Sequence, residues 1–158
     1  MSRDYPSSQG GAAIGARLRR LSDRIDREAD RLYAELGIDF EQRWFGVLNQ
    51  ISLHGAMSVS ELADALGVTH AAVSQTRGAL ADRGLIEANA DPEDARRRAL
   101  GLSAAGKKLV KRLVPVWAAL NDAARELDRE AGRAVETLAK LEAALDRKGL
   151  AERVRAKL

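Results

Sequence analysis

The sequence predicts a mainly α-helical protein with one small β-hairpin, and three observations lead to this fold class. Hydrophobic residues make up 46% of the chain and aromatic residues only 4%, so aliphatic side chains must build the core. Over most of the chain the apolar residues recur at intervals of three, four or seven, which is the period of amphipathic helices. Only between residues 85 and 102 does the pattern change, to two strand-like runs around a polar loop.

The composition restricts the classes of protein to be considered. A length of 158 residues predicts about one domain, and a net charge of +3 permits nucleic-acid binding without proving it. The absence of cysteine excludes disulfides, thiolate metal sites and sensing by thiol oxidation. No apolar run approaches the roughly 18 residues that span a bilayer. Because the N-terminal segment also lacks the apolar core of a signal peptide, we expect a cytoplasmic protein with no membrane partner.

The N-terminal third predicts a flexible arm and two helices. Residues 1–11 are rich in Ser, Gly and Pro and are expected to be mobile, whereas a long helix is predicted over residues 12–37. The apolar stripe of this helix is narrow and flanked by charges, which is typical of a helix that packs against a partner helix. A second helix is predicted from Phe40 to His54. Its Trp44 and Phe45 are interpreted as core residues, with a pocket-lining role as the alternative.

Two short helices joined by a tight turn are predicted between Ser58 and Arg83. Ser58 and Glu61 have the spacing of a capping box, and Gly67 supplies the positive φ that the turn requires. Thr69 can cap the second of these helices. The exposed face near its start is small, polar or basic, which suits a helix in the DNA major groove. This face consists of His70, Ala71, Ser74, Gln75 and Arg77. The alternative is an ordinary helical hairpin whose polar face is solvated.

A β-hairpin is predicted directly after this helical pair, with strands at residues 85–88 and 98–102 and a turn-forming loop at 89–94. A hairpin in this position is a wing, which can reach the minor groove beside the helix, where an Arg is favoured. Between residues 96 and 112 the chain carries seven Lys or Arg and no acid. This basic run is the electrostatic footprint of a nucleic-acid-binding surface.

Two helices are predicted after Ser103, which can cap the first of them. Pro115 lies inside the apolar pattern of that helix, so a kink or break is expected about one turn before it. The last segment again carries a long apolar stripe on a charged helix. We expect residues 12–37 and 103–158 to form a dimer interface, because their stripes are too extended to be covered by a small winged domain at residues 40–102.

Two segments resemble the MarR family of winged helix-turn-helix regulators: SVSELADALGVTHAAVSQTRGALADRGLIE and DPEDARRRALGLSAAG. The second segment is the more specific, because the wing of the family carries a pattern close to Asp-x-Arg followed by Leu-Thr/Ser-x-x-Gly. The matching residues are Asp94, Arg96, Leu102, Ser103 and Gly106. The resemblance implies that Arg96 enters the minor groove and that Asp94 holds the wing in shape. Ala95 stands where relatives often have a second Arg, so this contact is missing or is supplied by Arg97.

The resemblance implies a transcriptional repressor that binds a pseudo-palindromic operator in double-stranded DNA as a homodimer. From their positions, Thr69 is expected to contact a phosphate, and His70, Ala71, Ser74 and Gln75 to face base edges. The phosphate contacts are completed by Arg77, Arg97 and Arg98. The resemblance also implies release by a small aromatic or anionic effector. Candidate residues for its pocket, each of which can equally be a core or rim residue, are Arg43, Trp44, Asn49, His54 and Trp117.

A narrower likeness covers residues 42–75, which resemble the regulator half of proteins that fuse a MarR-like domain to a C-terminal acetyltransferase domain. Because the chain ends after its last helix, we expect a free-standing regulator with no enzymatic activity and no cofactor. The two histidines, His54 and His70, have neither metal-ligand spacing nor a nucleophile turn beside them. The alternative function is a winged-helix module that binds protein, which should present an apolar exposed face on its second short helix.

Overall fold

The computed structural model describes residues 10–90 and 98–158. Over these residues four α-helices precede and three follow one two-stranded antiparallel hairpin, which confirms the predicted fold class. The helices are α1 (Ile14–Glu35), α2 (Phe45–His54), α3 (Val59–Leu66), α4 (His70–Asp82), α5 (Ala104–Glu130), α6 (Ala134–Arg147) and α7 (Leu150–Arg155); the strands are β1 (Ile86–Ala90) and β2 (Arg98–Leu102); and short 3-10 turns lie at Gly10–Ala13 and Gln42–Trp44. The chain divides into two compact units, Met1–Leu113 and Val114–Leu158.

Helix α1 is largely solvent-exposed except near its C-terminal end. Ala29 and Tyr33 are buried, whereas Leu21 in the middle of the apolar stripe is 54% exposed. The helix ends where Gly37 adopts a φ of +64°. There the guanidinium of Arg112 donates to the carbonyl oxygen of Gly37 over 3.3 Å. Part of the predicted basic run therefore stabilises the end of α1.

The core of the first unit contains the aromatic residues that connect α1 to α2. Trp44 is fully buried, which confirms its interpretation as a core residue. Its ring meets that of Phe40 edge to face at a centroid distance of 5.7 Å, and Phe40 meets Tyr33 in the same way at 5.0 Å. Edge-to-face contacts of this kind stabilise aromatic pairs beyond the area that they bury. The aliphatic part of this core includes Leu48, Leu62, Val73, Leu80 and Leu113.

The hairpin is held to the segment before α3 as well as within itself. Strand β1 pairs with β2 from Ile86 opposite Leu102 to Ala90 opposite Arg98, so β1 starts one residue later than predicted and extends further. On the other side of β2, Met57 and Leu100 exchange two backbone hydrogen bonds of 3.1 and 2.7 Å. The root of the hairpin is therefore fixed, whereas part of the predicted loop lies outside the described residues.

The structure bears on two expectations for the C-terminal helices: it excludes a break at Pro115, and it shows that one helix for the last segment was wrong. Pro115 does not break its helix, since α5 continues from Ala104 to Glu130. Pro115 lacks the N–H that would bond to the preceding turn, and Leu113 and Trp117, two residues before and after it, are buried.

The last segment forms two helices where one helix with a long apolar stripe was expected, because Lys148 is extended and ends α6. The side chain of Arg153 donates to the carbonyl oxygens of Ala144 and Lys148 at 2.7 and 2.8 Å. The carbonyl oxygen of Ala144 also accepts from the N–H of Lys148 over 3.2 Å, so Arg153 adds a second donor there.

The start of α5 lies against the junction between α4 and β1. Ser103 caps the helix as predicted, since its Oγ accepts from the N–H of Gly106 over 3.0 Å and donates to the carbonyl oxygen of Gly84 over 2.6 Å. A Cβ atom at Gly106 would overlap the carbonyl oxygen of Leu85. Glycine at this position thus allows α5 to approach the backbone of the junction.

Replacement of Gly106 by alanine is expected to lower the free energy of unfolding by about 1–3 kcal/mol, the usual cost of overpacking, because the overlapping atom belongs to the backbone. Urea unfolding followed by circular dichroism would measure this loss. Gly15→Ala in α1 is the control, since its Cβ would meet only the end of the Arg19 side chain at 4.0 Å. Equal stability of the two variants would contradict the close approach.

Candidate nucleic-acid interface

The α3–turn–α4 unit is fixed by the local bonds that the sequence predicts. The N–H of Glu61 donates to Oγ of Ser58 over 3.2 Å, and the N–H of Ser58 donates to the Glu61 carboxylate over 2.7 Å. Gly67 adopts the left-handed conformation with a φ of +63°. Oγ1 of Thr69 then accepts from the N–H of Ala72 over 3.2 Å and begins α4. The capping box, the glycine turn and the threonine cap are therefore confirmed.

Two buried residues determine which side of α4 faces solvent. Val73 is 1% exposed and Leu80 is fully buried, and both lie on one side of the helix. At about 100° per residue, Ala71 and Gln75 lie about 160° from Val73, on the opposite side. The structure thus directs these two predicted residues away from the core, and both are exposed.

The remaining predicted residues of α4 are also exposed, but they do not all lie on one face. Ser74 lies about 100° from Val73, next to Gln75 on the outer face. His70 and Arg77 lie only about 60° and 40° from Val73, so they share a flank of the helix. The five residues therefore form a small polar face, with His70 and Arg77 along one edge.

Gly78 belongs to the outer face and was not among the predicted residues. It lies about 140° from Val73, and a Cβ placed on it would meet nothing within 4 Å. A glycine inside a helix costs about 1 kcal/mol relative to alanine. No side chain packs against Gly78, so the only sequence signal for this position is a helix glycine whose cost packing does not explain. Asp82 lies on the same face and places an acid at its C-terminal end.

The basic part of the predicted interface is described only in part. Asp94, Arg96 and Arg97 lie outside the described residues, and Arg98 is described only as the first residue of β2. The root of the wing adjoins α4 through the junction at Gly84. The lysines at the start of α5 are exposed and include Lys107, Lys108 and Lys111.

The residues expected to line an effector pocket have varied surroundings. Trp44 is part of the core, and Arg43 forms a 2.6 Å ion pair with Glu41 at the surface. His54 is exposed, Asn49 is partly buried and Trp117 is 9% exposed. None of these five residues belongs to the wall of a cleft of about 490 Å³ at the root of the hairpin. That cleft lies among Ile51, Ser52, Glu87, Lys107, Val110 and Lys111. The effector role of the five residues stays a prediction.

Other kinds of site find little support in the part of the chain that the structure describes. Within residues 10–90 and 98–158, no group of three or more His, Cys, Asp or Glu side chains is arranged to hold a metal ion. Over the same residues, no helix combines the length and the apolar character needed to cross a bilayer.

Comparisons with known proteins agree with the fold and with the resemblance in the sequence. Residues 36–97 match the sequence model of the MarR family. No protein of curated function matches the chain. Many solved structures do match, among them MarR-type regulators, so the predicted resemblance to this family and its winged helix-turn-helix fold are confirmed.

Three of these structures illustrate the likeness. MepR of Staphylococcus aureus, in a complex with DNA, has a TM-score of 0.68 at 21% identity, over 84% of this chain and 98% of that chain. A MarR/EmrR family transcriptional regulator from Acinetobacter sp. ADP1 has a TM-score of 0.68 at 23% identity, over 84% and 94%. BpsR of Bordetella bronchiseptica, whose DNA binding is regulated by 6-hydroxynicotinic acid, has a TM-score of 0.65 at 24% identity, over 82% and 92%.

Gly78→Ala is expected to change stability and DNA binding in opposite directions. The added methyl group has open space around it, so the free energy of unfolding should rise by about 0.5–1 kcal/mol. If the outer face of α4 enters a DNA groove, the same methyl group obstructs the closest approach and weakens binding. Thermal unfolding and fluorescence anisotropy with a labelled duplex measure the two effects. Gly15→Ala is the control for stability alone, and unchanged DNA affinity in Gly78→Ala would contradict the assignment of this face.

Proposed function

We propose that this protein, with a MarR-family segment at residues 36–97 and the fold of MarR-type regulators, is a transcription regulator that binds double-stranded DNA. The observation that carries the proposal is the outer face of α4. Its residues at the N-terminal end are small or hydrogen-bonding, they are exposed, and the helix that holds them is capped at Thr69 and anchored by Val73 and Leu80. A rigid helix with such a face fits the major groove and can bond base edges.

The positions on α4 divide the proposed contacts into two kinds. Ala71, Ser74 and Gln75 are assigned to base edges, with Gln75 suited to adenine and Ala71 to the methyl group of thymine. Arg77 is assigned to a phosphate because it lies on the flank of the helix. Thr69 lies at the N-terminus of α4, where backbone N–H groups and the helix dipole favour a phosphate.

His70 shares the flank of Arg77, so it can reach the sugar-phosphate backbone as well as the first base edge. In the wing, we assign Arg96 to the minor groove, Arg97 and Arg98 to the DNA backbone, and Asp94 to the shape of the wing. An Arg in a narrow minor groove is favoured by the negative potential there. The exposed lysines at the start of α5 add positive charge close to the root of the wing.

The alternative of a protein-binding winged helix has less support. Such a module should expose large apolar side chains on its second short helix. Among the described residues of α4, no large apolar side chain is exposed. The exposed side chains there are His70, Ala71, Ala72, Ser74, Gln75, Arg77, Ala81 and Asp82. This composition favours a nucleic acid over an apolar protein surface.

The regulator is further proposed to be a homodimer that represses transcription from a pseudo-palindromic operator. The exposed apolar stripe of α1, with Ile14 at 46% and Ile25 at 47%, supports a helical partner, since monomers rarely expose continuous apolar surfaces. In the second unit Leu138, Leu145 and Val154 are exposed as well. Two-fold symmetry would place the two α4 helices about 34 Å apart, one turn of DNA. Repression is typical of the family.

Selection of bound sites from a random duplex pool should yield a palindrome with half-sites about one helical turn apart. On that operator, Arg96→Ala should weaken binding at most sites and reduce the slope of log K against log salt, because it removes a cation from the groove. Gln75→Ala should instead change the preference among operator variants. Electrophoretic shifts that are the same for both variants and the wild type would contradict these roles.

Leu21→Glu is expected to shift the protein towards monomer, because it places a charge in the middle of the exposed stripe, where Leu21 is 54% exposed. Leu53→Glu is the matched control, since Leu53 is 65% exposed but lies on α2, outside the stripes. Analytical ultracentrifugation over a dilution series measures the mass. A well-folded wild-type monomer at micromolar concentration would exclude the proposed dimer.

A further inference from the structure

We propose that Arg83 is a positioning residue, which holds the C-terminal end of α4 against the aromatic residues beside α1 and so sets the orientation of α4 on DNA. The inference rests on the proposed function, because it assigns a role in the same interface. Arg83 directly follows α4 and precedes Gly84, whose φ of +64° turns the chain into the hairpin.

The cation of Arg83 lies on the face of a buried ring. Its Cζ atom is 4.4 Å from the centroid of the Trp44 ring, and Trp44 has no exposed surface. Tryptophan is the aromatic residue that attracts a cation most strongly, and partial removal from water strengthens the attraction. The Arg83 side chain is 39% exposed, so its guanidinium is partly covered. This contact ties the residue that directly follows α4 to the core.

The carboxylates around Arg83 contribute less than the ring. Nε lies 3.7 Å from Oδ2 of Asp39, whose side chain is 87% exposed, and Nη2 lies 3.8 Å from Oε1 of Glu41. Exposed ion pairs at such distances contribute little to stability. Glu41 also has a closer partner in Arg43 at 2.6 Å. The ring of Trp44 is therefore the main partner of the guanidinium, beside a 3.5 Å hydrogen bond from Nη1 to the carbonyl oxygen of Ala79.

Behind Trp44, a continuous series of contacts leads to α1. Trp44 packs on Phe40 and Phe40 on Tyr33. The hydroxyl of Tyr33 donates to Oε1 of Gln42 over 2.8 Å, and the N–H of Gln42 donates to Oδ1 of Asp30 over 2.6 Å. The segment that carries Trp44 is thus attached to α1 by rings and by hydrogen bonds, and Arg83 extends this attachment to α4.

Both ends of α4 must be fixed if its outer face is to meet bases in register. The N-terminal end is fixed by Thr69 and the glycine turn. Without Arg83, the C-terminal end would lose its polar link to the α1 side of the unit. In this proposal Arg83 acts on DNA through the orientation of α4, and because its side chain is 39% exposed the test must separate this role from a phosphate contact.

The test compares Arg83→Met, which keeps an apolar stem without charge, with Arg83→Lys, which restores a cation. Affinity for the selected operator should fall on the order of tenfold in the Met variant, the size that a partly buried cation–π contact can give. The Lys variant should recover most of this loss. In Arg83→Met, the slope of log K against log salt and the affinity for unrelated duplexes should equal those of the wild type. Asp39→Asn should bind like the wild type, because that pair is exposed.

The control for a direct contact is Arg77→Met, whose salt slope should fall by about one. A similar fall for Arg83→Met would overturn the proposal and make Arg83 a phosphate contact. Unchanged operator affinity in Arg83→Met would overturn it as well.

A second readout does not depend on DNA. In a Trp117→Phe background, the emission of Trp44 should shift in Arg83→Met and return to the wild-type value in Arg83→Lys. Amide hydrogen exchange in the last turn of α4 should be faster in Arg83→Met and return to the wild-type rate in Arg83→Lys. If the wild type binds no duplex, the proposed function fails, and the exchange and emission data still decide whether Arg83 holds α4. No change in either signal would overturn that role.

Discussion

The junction at Gly84 and Leu85 is the constraint on which the arrangement of α4, the hairpin and α5 depends. The N–H of Leu85 donates to the carbonyl oxygen of Leu80 in α4, and the carbonyl oxygen of Leu85 accepts from Ser103 at the start of α5. Ser103 also donates to Gly84, and only glycine at position 106 leaves room for the approach. Helix α4, the hairpin and α5 therefore start or end at one hydrogen-bonded point, which fixes the wing relative to the helix beside it.

Sequence patterns predicted best the helix caps and turns, whose geometry depends on residues close together in the chain. The cap at Ser58, the turn at Gly67 and the cap at Thr69 depend on side chains and backbone groups three or four positions apart, and each has the expected geometry. At Pro115 the local pattern left a kink and a break open, and only the folded helix, which continues through this residue, excludes the break. The end of α6 at the extended residue Lys148 was missed, and the bond of Arg153 to Ala144, which joins this end to the next helix, was not predicted either.

For the candidate site, the exposed residues of α4 followed from the same local reasoning, since the apolar residues defined the buried side. The division of that surface into an outer face and a flank required the positions of Val73 and Leu80 in the folded helix. The contact between Arg83 and Trp44 was not predictable, because it joins residues that are distant in sequence and only packing brings them together. The same holds for Arg112, which the sequence presents as one more basic residue although it bonds to the end of α1.

The pairing of Met57 with Leu100 also affects how the protein meets other proteins. Strand β2 is paired on both sides, with β1 and with Met57, so at Leu100 the small sheet has no open edge on the β2 side. The remaining edge is β1, which is five residues long and carries the exposed acid Glu87. Short, charged edges resist strand addition from another chain. The described part of the hairpin is thereby protected from edge-to-edge pairing with another chain.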